Sequence, residues 1–135
     1  MRHKEAAPDF IKRKDSQFTI GTIERSQRSL IRMKDIGRRG KFHFRREAWT
    51  FLPQHNLKDK VFVLERLRKV KFTGRISYGS AWKNGEIEYR IGYFIVGKIG
   101  RARGRWVWGQ FCPLIPVSDF KKLISKAKKD GVILS

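Results

Sequence analysis

The stretch EIEYRIGYFIVGKIGRARGRWVWGQF, residues 86–111, decides the fold. Two segments rich in β-branched and aromatic residues flank a loop of Gly and Arg, the pattern of a long β-hairpin. Ile87, Tyr89, Ile91, Tyr93 and Ile95 fall on one face, and Glu86, Glu88 and Arg90 begin the other. A period of two sustained this long does not fit the 3.6-residue repeat of a helix. The connecting loop gathers Lys98, Arg101, Arg103 and Arg105 without an acid. A cationic tip on a rigid ribbon points to a polyanionic partner and names no reaction.

Upstream, Val70, Phe72, Gly74, Ile76 and Tyr78 alternate with Lys69, Lys71, Thr73, Arg75 and Ser77. That is a half-buried antiparallel strand with one basic face. Asn84-Gly85 is a strong reversal signal between this strand and the hairpin, so 69–111 reads as a three-stranded meander. The segment 57–70 fits two templates. Leu57, Val61, Leu64 and Leu67 mark one helical face, whereas Val61-Phe62-Val63-Leu64 suits a buried strand; β-branching at Val61 and Val63 favours the strand. Residues 38–46, RRGKFHFRR, place Phe42 and Phe44 on one face of an extended chain and Lys41, His43 and Arg45 on the other. Residues 47–53 form an apolar knot closed by Pro53.

Downstream, Pro113 and Pro116 bracket an extended exit. A helix is expected over 119–129, with Ser118 as N-cap and Asp119 favourable in the first turn. Phe120, Leu123, Ile124 and Ala127 make its apolar stripe, Gly131 stops it, and Val132-Ile133-Leu134 is read as a return to the sheet edge. At the other terminus, residues 1–16 read as a flexible basic arm, 18–23 as a short edge strand, and 24–36 as a short helix capped by Gly37. The expected fold is α+β: an antiparallel meander of about four or five strands packed by a C-terminal helix. A basic N-terminal extension, 1–40, precedes the domain over 41–135.

Composition bounds the partner. The 135 residues carry 32 Lys and Arg against 12 Asp and Glu, a net charge of +20. Self-repulsion at that charge opposes compaction, and a polyanion relieves it. Nucleic acid is the first candidate, because neutralised phosphates release counterions and drive binding; an acidic protein or an anionic membrane surface follows. Both halves of the chain are basic, so the charge is no mere tail. Apolar residues are 40% of the chain and aromatics 13%, enough for a core. Cys112 is the only cysteine, which excludes an internal disulfide and a cysteine-built zinc site. No apolar run reaches the length of a membrane span and no signal-peptide pattern opens the chain. The expected location is cytoplasmic, or nuclear where the cell has a nucleus.

The binding residues expected on these grounds are Lys98, Arg101, Arg103 and Arg105 of the loop, with Trp106 and Trp108 beside them. Indoles in a strand are commonly core, but if open they stack on bases. A second patch is Lys121, Lys122 and Lys126 of the helix, and a third is Arg38, Arg39, Lys41, Arg45 and Arg46. Contacts of this kind position a protein on phosphates without reading sequence. No cofactor or metal is expected: His3, His43 and His55 lack metal-site spacing, and Glu86 with Glu88 reads as an exposed salt-bridged pair rather than a cation site. Two alternatives stand beside the nucleic-acid binder. One is a metal-independent ribonuclease, its acid and base drawn from His43, Tyr89, Tyr93 or the arginines; the other is an interaction module of a larger nucleoprotein particle. Oligomeric state is not legible.

Overall fold

The computed structural model describes residues 5–23, 30–33, 41–73 and 83–134. Its strands are β1 Leu30–Met33, β2 Lys41–Pro53, β3 Lys60–Thr73, β4 Ile87–Val96 and β5 Trp106–Trp108; its helices are α1 Ala7–Ile23 and α2 Val117–Lys129. The five strands form one antiparallel sheet in chain order, a meander with α2 packed on it. Among the described residues no helix is long and apolar enough to cross a membrane.

The 57–70 ambiguity resolves as strand, and the reason is two-sided burial. Val61 and Val63 pack with Phe10, Phe18, Phe51 and Phe94 beneath α1. Their neighbours Phe62 and Leu64 pack with Leu123, Ala127 and Val132 beneath α2. A strand covered on both faces loses its alternation and reads as a continuous apolar run. Phe42, Phe44 and Leu67 make a third cluster with Ile31 and Met33. The β2–β3 register shifts between Arg46 and Ala48, so Glu47 is an extra residue there. Such a bulge re-aims a side chain, and Glu47 takes Arg66 and Arg68 at 2.8 Å each.

The N-terminal region departs from expectation. From Ala7 onward, the arm expected over 1–16 and the edge strand expected over 18–23 are one helix, α1. Its buried positions Ala7, Phe10, Phe18 and Gly21 do follow helical spacing, but Lys14 sits in the middle of that stripe, and Thr19, Ile20, Thr22 and Ile23 load the last turns with β-branched residues. Packing overrides that weak propensity. Two indole N–H groups tie the helix down: Trp106 Nε1 donates to the Glu5 carbonyl at 2.8 Å, and Trp49 Nε1 to Asp15 Oδ1 at 2.7 Å. Of the helix expected over 24–36, residues 30–33 are strand β1, pairing with 42–45 of β2, and the remainder lie outside the described residues.

The C-terminal helix starts at Val117, with Pro116 rather than Ser118 at the cap and no side-chain cap bond. It ends as expected at Gly131, whose φ is +77°. The amides of Gly131 and Val132 donate to the carbonyls of Lys128 and Ala127 at 3.2 and 2.8 Å, the glycine-stop pattern. Val132 does not return to a sheet edge; it enters the core under α2. Phe120, placed on the apolar stripe by sequence, is 46% exposed. The β3–β4 reversal closes at Lys83–Glu86, with Gly85 at φ +90°, while residues 74–82 lie outside the described set.

Candidate nucleic-acid interface

The β4–β5 loop is a closed, internally bonded structure rather than a loose tip. The Gly97 amide donates to the Arg105 carbonyl at 2.9 Å, and the Gly104 amide to the Gly97 carbonyl at 3.0 Å. A short 3₁₀ turn, Gly100–Ala102, fills the interior, with the Arg105 amide on the Ala102 carbonyl at 2.9 Å. Gly100 and Gly104 have φ of +60° and +74°, a region closed to most side chains. Gly97 is needed for space, since a Cβ there would run into the Ala102 carbonyl. The result fixes the backbone of Arg101, Arg103 and Arg105 while all three side chains stay exposed.

Among the described residues their charge meets no acid. Among the described residues almost every acid is already held by an internal partner. Glu65 takes Arg46 and Arg90, Glu47 takes Arg66 and Arg68, and Glu5 takes Arg13. Lys69 bridges Glu86 and Glu88 at 3.2 Å each, which makes that carboxylate pair an ion-pair surface. Asp59 holds Lys98 at 2.9 Å, and Asp130 holds Lys126 at 3.1 Å. No ion pair reaches Arg101, Arg103 or Arg105 within the described residues. Lys121 and Lys122 are likewise exposed on α2, although the Lys122 charge also acts on Asp119.

The structure sorts the remaining expected residues. Lys98 belongs to the loop but is tethered to Asp59. Trp106 is a core residue: it stacks on Phe10 with centroids 4.5 Å apart and 14° between planes. Trp108 shares its face, 38% exposed, with its edge on Phe94 and the Arg90 guanidinium 4.7 Å from its ring centroid. Both indoles face α1, so neither fills the core beneath the C-terminal helix. Lys126 is partly spent, donating to Thr50 Oγ1 at 2.6 Å. Arg46 is spent on Glu65 and lies 3.6 Å from the Phe18 ring centroid. Lys41 is exposed, Arg45 is half-buried, and Arg38 and Arg39 lie outside the described residues. The loop and α2 patches are not contiguous by element, because α2 covers the sheet face opposite to α1.

Two arrangements escaped sequence reasoning. His55, read as a solvated loop histidine, places Nδ1 2.8 Å from Asp119 Oδ2, and its backbone amide donates to the same oxygen at 3.1 Å. The Asp119 side chain is 2% exposed and that of His55 49%. Burial disfavours the Asp119 charge, but the His55 bonds outweigh it and hold the carboxyl below its ordinary range. His55 also borders a cavity of about 510 Å³ shared with Ala6, Pro8, Pro53 and Lys58. The second is Lys14, a cation within the buried stripe of α1. His43, by contrast, is buried, and burial first, then Lys71, Arg32 and Lys41, push its imidazole below the usual value. No sequence pattern announces a pairing such as His55 with Asp119, 64 residues apart.

Comparison with known proteins finds no matching family model, no matching curated protein and no matching solved structure.

Proposed function

We propose that this protein binds nucleic acid through phosphate contacts with little sequence preference, led by Arg101, Arg103 and Arg105 and supported by Lys121 and Lys122. One observation carries the reading: among the described residues, internal pairing holds most of the acids and leaves the loop arginines outward on fixed backbone. A fixed guanidinium loses less freedom on binding than a mobile one, and its planar donors match phosphate oxygens. Contacts of this type fix position and carry no base information. Fluorescence anisotropy of labelled duplex DNA and single-stranded RNA, titrated with pure protein over a salt series, tests it. Salt-sensitive binding is expected, with log Kd linear in log salt. The absence of binding at low salt would refute it.

A metal-independent ribonuclease is the second reading, and the His55–Asp119 pair favours it. A buried carboxylate that fixes the imidazole tautomer is how enzymes orient a histidine for proton transfer, and Lys58 at the same cavity supplies a cation for developing phosphorane charge. Cleavage of labelled RNA in EDTA, abolished by His55→Ala, would replace the binder with the enzyme; intact RNA would retire the enzyme.

A further inference from the structure

Lys14 is a cation where helix register calls for an apolar residue. It lies between Phe10 and Phe18 on the buried stripe of α1, four residues from each. Its Nζ sits 5.4 Å from the Phe94 ring centroid, and no carboxylate partners it among the described residues. Burial first, then Arg13 and Arg46, lower its pKa. Arg13 and Arg46 already hold Glu5 and Glu65, and the Phe94 ring offsets part of the burial cost of the ammonium; an anion would relieve the rest.

Space for an anion is present. Lys14, Arg13, Arg105 and Trp106 line a cavity of about 440 Å³ between α1 and the β4–β5 loop, with Glu5 and Gly104 completing its wall. Glu5 is already engaged by Arg13, whose Nε and Nη2 reach its carboxylate at 2.8–3.2 Å. The cavity therefore keeps a net positive charge from Lys14 and Arg105. Gly104 leaves the wall without a side chain where the loop passes. The Trp106 indole, held by its bond to the Glu5 carbonyl, makes a rigid side.

We propose that this cavity is a phosphate subsite that takes one phosphodiester of the bound nucleic-acid strand, with Lys14 and Arg105 as its ligands. The proposal rests on the nucleic-acid reading above and deepens it. Arg105 is the shared residue: it belongs both to the loop and to the cavity, so a strand crossing the loop delivers a phosphate to Lys14. The arrangement also explains why α1 carries a lysine in its buried stripe, since a ligand-binding group is commonly kept at a cost in stability.

The test follows the Trp106 indole N–H signal by NMR in the full chain, titrated with sodium phosphate against sodium chloride at matched ionic strength. A saturable phosphate-specific shift is expected, retained in Lys14→Arg and lost in Lys14→Met. Lys14→Met completes the apolar stripe and is expected to fold at least as stably as the native chain, so its loss of response is not unfolding. A parallel titration with oligo-dT is expected to move the same signal, and Lys14→Met to lower the single-strand salt slope by about 0.7. No saturable shift in the native chain, or an equal shift in Lys14→Met, overturns the subsite even if oligonucleotide binds elsewhere. A phosphate shift without oligonucleotide binding at low salt overturns the strand as its source and leaves a site for free phosphate.

Discussion

Arg46 Nε donates to Glu65 Oε2 at 2.6 Å, and the Glu65 side chain has no exposed surface. Arg90 meets the other carboxylate oxygen at 2.8 Å from the facing strand. Each guanidinium is in turn laid on an aromatic ring, Arg46 on Phe18 and Arg90 on Trp108. One buried carboxylate thus links β2, β3 and β4 on the α1 face. Two of the chain's many cations are thereby turned inward, and the three loop arginines are left outward.

Glu65→Ala is expected to cost about 3–5 kcal/mol, since it strands two desolvated guanidiniums. Urea denaturation of the variant checks this. A midpoint unchanged from the native chain would show that water or another acid replaces Glu65.

Trp106→Ala is expected to cost about 3 kcal/mol through lost packing on Phe10 and the lost bond to Glu5. Trp108→Ala should cost less, because that ring is partly solvated. Hydrogen exchange adds a spatial readout: Trp106→Ala should speed exchange in α1, whereas Trp108→Ala should leave α1 protected.

Gly97→Ala should weaken nucleic-acid binding without unfolding the sheet, because the added Cβ collides with the Ala102 carbonyl and opens the loop. The change adds one methyl group and removes no charge. Native-like affinity in Gly97→Ala would mean that loop order is irrelevant to binding.

Acid should destabilise the fold through Asp119 and Asp130. Bonds from His55 hold Asp119 low against its burial, and bonds from Lys126 and Thr50 hold Asp130 low. Carboxyls with depressed folded pKa values contribute stability above their unfolded values, about 3.9 for Asp, and lose it as pH falls through the folded ones. Melting temperature should therefore fall below about pH 4. His55→Ala should shrink that acid-sensitive component.

The meander was legible because β4 alternates cleanly and Asn84-Gly85 marks a reversal. α2 was legible from Leu123, Ile124, Ala127 and Gly131. α1 was hidden by Lys14 and by the β-branched residues after Phe18, features of a helix held by packing rather than propensity. The loop arginines were visible as a run of charge. That Arg46 is spent on Glu65, and Trp106 on Phe10, depends on contacts between distant segments, which a one-dimensional pattern does not encode.

On the proposed function, the fixed loop arginines neutralise phosphates. The most direct test compares the salt dependence of duplex DNA binding for the native chain and for Arg101→Ala/Arg103→Ala/Arg105→Ala. Each phosphate contact removed should lower the log–log slope by about 0.9, so the triple variant should bind more weakly and with a distinctly flatter slope. A slope equal to that of the native chain would show that these arginines do not contact phosphate.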